Sequence, residues 1–132
     1  MIDYEVKVFN RAYNSVAPKC AQNGFVSTMI TQKPSSFPAA SLIEMDNTTV
    51  RRLQSSTPTE NFAMITYQFE VYALSKSKCR EVFIAGDEAM IAMNFTRISG
   101  AFINNSDNPK VFRYVARYEA FVDKDGNLYR AS

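Results

Sequence analysis

Histidine and tryptophan are absent from this chain of 132 residues, and only four residues are glycine. Histidine is the commonest general base and the commonest metal ligand, so its absence excludes Ser-His-Asp and Cys-His catalytic sites and histidine-rich zinc sites. A glycine-rich phosphate-binding loop is missing as well. We therefore expect no catalytic residues, no metal, no cofactor and no enzymatic activity.

Cysteine is scarce, with only Cys20 and Cys79 in the chain. The two residues form no CxxC pair and cannot build a disulfide framework. Cys20 falls in a predicted loop and Cys79 in a predicted helix. We predict that both are free thiols.

Long apolar runs and strong charge are also lacking. No stretch of about 18 apolar residues is present, and the beginning MIDYEVKVFN has acids where a signal peptide needs a basic and then an apolar region. The expectation is a protein made and kept in a cytoplasm, without membrane contact. A net charge of +2 with 21% charged residues disfavours a dedicated DNA-binding protein.

The most informative stretch is Asn61 to Leu74, NFAMITYQFEVYAL, followed by Lys76 to Asn94. The first part alternates with period two, which predicts a long half-buried strand with Thr66, Gln68 and Glu70 on its wetter face. The second part shows apolar residues at helical spacing, which predicts a helix packed on that strand. The strand's predicted apolar face consists of Ala63, Ile65, Tyr67, Phe69, Val71 and Ala73, and the helix stripe of Cys79, Val82, Phe83, Gly86, Ala89, Met90 and Met93.

The first half of the chain predicts one helix and two strands. The helix spans about residues 4 to 16, with Asp3 as its cap and Pro18 as its stop. Its predicted apolar positions are Val6, Phe9, Tyr13 and Val16. Strands are predicted over Phe25 to Thr31 and over Ser41 to Asp46, separated by a proline-containing loop at 34–38.

Residues 47–60, NTTVRRLQSSTPTE, predict a long polar loop with only two apolar residues. Loops of more than about 12 residues are uncommon in compact domains unless they are functional or disordered. A solvated mobile loop and an arm that grips a neighbouring subunit are both open. The arm interpretation makes candidate contact residues of Val50, Arg51, Arg52 and Leu53.

The second half predicts strands over Phe95 to Phe102, with a bend or bulge at Gly100, and over Val111 to Val122. A polar turn at 104–109 separates them, and a turn at 123–127 leads to a short tail. Strands joined mostly by turns predict one domain over residues 1–132, of the α+β class. We expect a mostly antiparallel sheet of four to five strands, with two helices packed on one face.

Two sets of acidic residues could suggest catalysis or calcium binding, but each has a simpler structural explanation. Glu44 and Asp46 share the wet face of the predicted strand, and strand alternation already accounts for them. The segment Asp123 to Asn127 has its glycine three positions after Asp123, which is the wrong spacing for a calcium loop. We interpret it as a plain turn.

Basic residues stand at two candidate interface positions. Lys76, Lys78 and Arg80 open the second helix, where the helix dipole disfavours cations. They predict either contact with an acidic neighbour or DNA, or simply an exposed basic turn. Arg113 and Arg117 share one face of the last long strand and admit the same two interpretations, of which we favour interface salt bridges.

Ile84 and Ile91 lie one heptad apart on the second helix, off its core stripe. An apolar flank of this kind predicts burial by another element of the chain or by a neighbouring subunit.

Several segments resemble one family. They are Tyr4-Glu-Val and Val8-Phe9 in the first helix, Phe37-Pro38 with Glu44-Met-Asp-Asn47, Glu60-Asn61 before the long strand, and FRYVARYEA over Phe112 to Ala120. With these segments the chain resembles, over nearly its whole length, the tail-terminator or tail-to-head joining proteins of long-tailed bacteriophages.

The resemblance implies a small structural virion protein that forms a six-fold ring, caps the completed tail tube and presents the joining surface for the head connector. Its partners would be further copies of itself, the tail tube protein and a head connector or neck protein, with DNA only passing through the channel. It would lie at the tail-neck junction of a virion assembled in the host cytoplasm. The alternatives are another neck component, such as a head-completion protein, and a small enzyme or nucleic-acid-binding accessory protein.

Overall fold

A computed structural model describes residues 5–20, 24–26, 37–49, 62–103, 111–123, 125 and 127–130. In chain order the elements are α1 (Glu5–Val16), a 3-10 turn (Ala17–Lys19), β1 (Phe25–Val26), β2 (Ala39–Thr49), β3 (Phe62–Ala73), α2 (Lys76–Ala92), β4 (Thr96–Ile103), β5 (Phe112–Asp123) and β6 (Leu128–Arg130). The α+β class is confirmed.

The strands form one sheet in the order β1-β2-β3-β5-β4, and β6 pairs with β5 beyond the start of β4. All pairs are antiparallel except β1 with β2, which is parallel. The sheet has six strands where four to five were expected. The difference comes from β6, because the tail after the 123–127 turn folds back on β5 as a strand of its own.

The centre of the sheet is the β3–β5 pair, which runs in unbroken register from Phe62 opposite Asp123 to Ala73 opposite Phe112. The predicted apolar face of β3 is fully buried along its length. Alternate residues of β5, from Ala116 to Val122, are buried on the same side. Period-two alternation therefore located the core of the sheet correctly.

Helix α2 packs closely on β3 at Gly86. Only glycine fits at this position, because a side chain there would overlap the Phe69 ring. Ser75 caps the first turn, and its Oγ accepts the backbone N–H of Lys78 at 3.1 Å. At the other end Asn94 has a φ of 72°, the left-handed conformation that commonly ends a helix. The Asn94 side chain also donates to the carbonyl of Leu128, which ties the end of α2 to β6.

Helix α1 has the expected extent, but it presents a different face to the core. Val6 and Tyr13 were predicted to be buried, and they are 71% and 45% exposed. The buried positions are Val8, Ala12 and Val16, which are spaced by four residues. The small Ala12 at the centre of this set lets α1 pack closely against α2, and the larger Phe9 stacks on Phe25 at the side, with ring centroids 4.8 Å apart.

Strand β2 is longer than predicted, since residues 47–49 belong to it and not to the loop. A β-bulge lies between Glu44 and Asp46. Of the predicted strand at Phe25 to Thr31, the structure describes Phe25 and Val26 as β1, and the remainder lies outside the described residues.

The irregularity expected at Gly100 in β4 occurs two residues earlier, as a bulge between Arg97 and Ser99. Gly100 instead leaves space for Tyr114, whose hydroxyl would be 2.9 Å from a Cβ placed there. Glycine is therefore required at position 100 by a close side-chain contact, and not by an irregularity in the hydrogen bonds between β4 and β5.

Candidate interaction surfaces

Both helices contribute to one hydrophobic core on a single face of the sheet. No described helix or strand packs on the opposite face, which carries Gln68 and Glu70. These two residues were expected on a wet surface, yet they are only 7% and 2% exposed. The expectation of a half-buried strand is therefore wrong for the middle of β3, because neighbouring side chains cover this face.

Glu70 is the centre of a polar network on this helix-free face. Its Oε1 accepts from Arg113 Nη2 at 2.5 Å and from Gln68 Nε2 at 2.9 Å. The Tyr72 hydroxyl donates to the other carboxylate oxygen at 3.4 Å. Arg117 Nε donates to Gln68 Oε1 at 3.1 Å. One carboxylate is thus compensated by one guanidinium, and the Gln68 amide links them to a second guanidinium.

The network uses Arg113 for an internal contact. Burial alone lowers the pKa of Arg113, but the hydrogen bond and the charge of Glu70 outweigh this effect and raise it. Burial and the nearby Glu70 carboxylate raise the pKa of Tyr72. A salt bridge within the chain therefore accounts for Arg113, where an interface salt bridge was favoured from the sequence.

Arg117 differs from Arg113 because its side chain contacts only an amide in the network and its residue is exposed. Both arginines lie on the same face of β5, opposite Tyr72 and Gln68 of β3. This face therefore offers one guanidinium that is committed to Glu70 and a second that is accessible to a partner.

The basic residues that open α2 lie in the first turns of the helix, as predicted. Lys78 forms an ion pair with Glu81 at 3.2 Å, and Lys19 approaches the same carboxylate at 3.5 Å. The hydrogen bond and charge of Lys78, with Lys19, lower the pKa of Glu81. Lys78 is thus paired inside the chain.

Lys76 and Arg80 have a different environment, since both cations lie over the ring of Phe102 in β4. Lys76 Nζ is 5.0 Å and Arg80 Cζ is 5.5 Å from the ring centroid, within the range of cation–π contacts. The sequence did not reveal this arrangement, because it depends on β4 lying beside the start of α2.

Ile84 and Ile91 face away from the core on α2. They are 53% and 36% exposed, so none of the described elements covers this flank fully. The candidate contact residues Val50, Arg51, Arg52 and Leu53 lie outside the described residues.

A second polar cluster, unnoticed in the sequence, joins β5, β4 and α2. The Tyr118 hydroxyl donates to Asp87 Oδ1 at 2.6 Å, and Arg97 Nη1 lies 3.3 Å from the same oxygen. Burial, followed by the contact with Asp87, raises the pKa of Tyr118. This cluster anchors α2 to the sheet.

The two acidic candidates of β2 are separated by its β-bulge. The bulge places Glu44 opposite Tyr67 and Asp46 opposite Thr66, and these two β3 residues face opposite sides of the sheet. The prediction that Glu44 and Asp46 share a face is therefore wrong. Asp123 accepts backbone N–H groups from Asp125 and Asn127, which, with other hydrogen bonds, lowers its pKa. This geometry supports a structural turn.

Both cysteines are free, as predicted. Burial raises the pKa of each thiol to about 11, so neither is a thiolate at neutral pH. Within the described ranges, no group of three or more histidine, cysteine, aspartate or glutamate side chains is arranged to hold a metal ion. Neither helix that the structure describes is long and apolar enough to cross a membrane.

No protein-family model and no curated protein matches this chain. The structural findings are thus an α+β unit with one core, a helix-free sheet face bearing a buried ion pair, and exposed apolar and basic side chains on α2 and β4.

Proposed function

We propose that this chain is a structural virion protein that caps a completed phage tail tube as a ring and provides the head-to-tail joining surface. The resemblance over the chain supports the family, and the α+β fold expected from it supports the same assignment. The observation that carries the assembly role is the exposed pair Ile84 and Ile91 on α2.

These isoleucines are notable because the core of the chain is already complete without them. The opposite side of α2 buries Val82, Phe83 and Met90 against the sheet. Transferring an exposed isoleucine side chain out of water contributes about 1.5–3 kcal/mol when burial is complete. A neighbouring subunit that covers this flank would therefore gain stabilisation from apolar surface that the described fold leaves exposed.

In a cyclic ring each subunit uses two different patches, which meet across a heterologous interface. The isoleucine flank is one patch of the proposed ring, and the segment containing Val50, Arg51, Arg52 and Leu53 is the proposed second patch. Lys76, Arg80 and Arg117 are proposed to orient the subunit toward an acidic partner or the central channel, whereas Lys78 pairs with Glu81 within the chain. Arg113 is reserved for the internal pair with Glu70.

The partners in this role are the tail tube protein and a head connector or neck protein, and DNA only passes through the channel. The two sides of the ring must differ, since one side binds the last ring of the tail tube and the other must not bind a further tube ring. Polar side chains at such surfaces set orientation more than affinity. The virion site at the tail-neck junction follows from this role.

The first experiment is electron microscopy and native mass spectrometry of the purified chain, alone and with its tail tube protein. We expect six-fold rings with a central channel in at least one of the two samples. A chain that remains monomeric in both, at every concentration reached, would refute the proposed function.

The matched variants are Ile84→Lys with Ile91→Lys, and Val6→Lys as the control. Val6 is even more exposed, at 71%, but lies on α1 and not on α2. The double variant should fold, by circular dichroism, and fail to form rings, whereas the control should form them normally. Rings formed by the double variant would remove the isoleucine flank from the interface.

A further inference from the structure

Two exposed cations share one aromatic ring near the end of β4. Lys76 Nζ and Arg80 Cζ lie 5.0 and 5.5 Å from the centroid of the Phe102 ring, and both residues are exposed. An aromatic ring attracts cations through its quadrupole but carries no net charge. The fold therefore holds two like charges side by side without compensating either of them.

No described carboxylate is paired with these two cations. Glu81, which follows Arg80 in the helix, is already shared by Lys78 and Lys19. Asp87, further along α2, is paired with Arg97. Lys76 and Arg80 thus carry the positive charge of this surface that the described part of the chain leaves uncompensated.

The strand beneath the two cations has an open edge. Among the described strands, β4 pairs only with β5, so its outer side presents unpaired backbone N–H and C=O groups. From Ile98 to Ile103 the sequence ISGAFI contains neither a charge nor a proline, which commonly protect an edge strand. Another extended segment is the chemical complement of such an edge.

We propose that the outer edge of β4, together with Lys76, Arg80 and Phe102, binds an acidic extended segment of a partner protein. The segment adds to β4 as a further strand, and its carboxylates at alternate positions pair with Lys76 and Arg80. Because the acidic partner belongs to the proposed function, the site rests on that function for the identity of its partner, but binding itself needs no ring.

The spacing of the two cations matches that of a strand. Lys76 and Arg80 are four residues apart on α2, which corresponds to a rise of about 6 Å. Alternate residues of a strand face the same side and are about 6.6 Å apart. Helix α2 runs alongside β4 in the opposite direction, since Lys76 lies at Phe102 and Asp87 contacts Arg97. Two carboxylates at alternate positions of an added strand can therefore meet both cations.

The same surroundings favour carboxylates over the bases of a single-stranded nucleic acid. Bases bind such surfaces by stacking on accessible aromatic rings. The Phe102 ring already has two cations over it and meets the Tyr114 ring edge to face, with centroids 4.8 Å apart. Arg97, the next cation along β4, is paired with Asp87 and does not extend the basic surface. The site thus offers charge and a strand edge, but no free stacking surface.

A titration with defined peptides tests the proposal on the whole chain. The probe is a peptide of alternating glutamate and threonine with blocked ends, as long as the eight residues of β4, and the control peptide has lysine in place of glutamate. We expect the glutamate peptide to bind at least about tenfold more tightly, and this preference to shrink in about 0.5 M salt, because exposed charges are then screened.

Three results of this titration would overturn the proposal. They are equal binding of the two peptides, no binding of the glutamate peptide up to its solubility limit, and tighter binding of a thymidine oligonucleotide than of the glutamate peptide. The last result would assign the surface to nucleic acid.

Charge reversal locates the binding site. Lys76→Glu with Arg80→Glu should weaken binding of the glutamate peptide by about tenfold or more. Lys7→Glu with Arg11→Glu is the matched control, since it makes the same change of charge at the same spacing on α1, where both residues are exposed. Circular dichroism checks the folds, and Lys76→Gln with Arg80→Gln replaces the reversal if that variant does not fold. An equal loss in test and control, or no loss in the test variant, would overturn the site.

Hydrogen exchange tests whether the peptide binds as a strand. With saturating glutamate peptide, amide exchange in β4 should slow by about tenfold or more, because its outer N–H groups gain partners. Binding without protection of β4 would overturn strand addition. Peptide binding by a chain that never forms rings would support this site while the proposed function fails, and rings without peptide binding would give the reverse result.

Discussion

At the scale of single residues, the most consequential finding is that Glu70 is buried with its charge compensated by Arg113. A buried carboxylate whose partner is removed bears its desolvation cost without the compensating attraction. The two arginines of β5, which look equivalent in the sequence, are therefore expected to respond very differently to substitution.

We predict that Arg113→Glu destabilises the fold by about 2–4 kcal/mol, because it removes the partner of Glu70 and adds a second carboxylate beside it. The Arg113 side chain is 32% exposed, so solvent weakens its interaction with Glu70 and the range extends down to about 2 kcal/mol. Urea unfolding followed by circular dichroism measures the loss.

Arg117→Glu is the matched control, since it gives up one hydrogen bond to an amide. Its cost should be about 1 kcal/mol or less. If the two reversals cost the same, the Glu70–Arg113 pair does not have the structural role assigned to it. Only the Arg117 variant is suited to testing partner binding, because its fold should survive.

The raised pKa of Cys79 predicts a dependence of stability on alkaline pH. Burial raises this pKa from 9.0 to about 11 in the folded chain. The unfolded thiol therefore ionises first as the pH rises above 9, so the contribution to stability is complete below pH 9 and is lost on approaching pH 11. We expect the loss to be about 1–2 kcal/mol between pH 8 and 10.5, since one pKa unit corresponds to about 1.4 kcal/mol.

The measurement compares urea unfolding of the wild type and Cys79→Ala at several pH values from 8 to 10.5, under reducing conditions. The wild type should lose stability more steeply over this range. Tyrosine ionisation affects both proteins, so the difference isolates the thiol. Parallel pH profiles would contradict the prediction.

At the scale of secondary-structure elements, the contact between α2 and β3 is made close by Gly86. Two effects compete when this glycine is replaced by alanine. Helix propensity favours alanine by about 1 kcal/mol, while overpacking costs about 1–3 kcal/mol. The new Cβ would lie 2.5 Å from Phe69 Cζ, and Phe69 is buried, so overpacking should win.

We therefore predict that Gly86→Ala lowers the free energy of unfolding, by an amount measured in urea at neutral pH. Gly100→Ala is the comparison, because there the Cβ meets only the Tyr114 side chain, whose hydroxyl is nearest at 2.9 Å and whose residue is half-buried. Its effect should be smaller. A stabilised Gly86→Ala variant would show that α2 has room to shift on the sheet.

The elements also show which parts of the fold are predictable from sequence. Period two identified β3 and β5 because one face of β3, and the same face of β5 from Ala116 to Val122, is buried in the core. The predicted face of α1 was wrong because Ala12 carries little weight in a hydrophobic pattern, yet it is buried at the centre of the face that α1 turns to the core. The bulges at Met45 and Ile98 depend on the partner strand, which local sequence does not specify.

The candidate site was harder to predict for the same reason. The burial of Glu70 depends on Arg113, which lies 43 positions away. A signal was present, since Gln68 and Glu70 are two apart on one strand, and Arg113 and Arg117 are four apart on another, all on the face opposite the core. Only the register of β3 and β5 turns these into contacts.

At the scale of the whole molecule, the proposed ring has a thermodynamic consequence. Association that occurs only in the folded state stabilises it by mass action, so the midpoint of thermal unfolding should rise with protein concentration. The Ile84→Lys with Ile91→Lys variant should lose most of this dependence while keeping the wild-type midpoint at high dilution. Calorimetry over a wide concentration range measures both, and a concentration-independent wild type would contradict the ring.

The position of β5 between β3 and β4 also bears on how the chain is made. Strand β3 and helix α2 leave the ribosome before β5 exists, so one edge of the most apolar strand has to wait for a partner about forty residues later. During that interval the nascent chain holds an incomplete sheet whose buried carboxylate has no counter-charge. Synthesis that stalls between α2 and β5 would therefore leave an aggregation-prone fragment. A chaperone that binds exposed apolar segments of nascent chains would be expected to bind this fragment at β3.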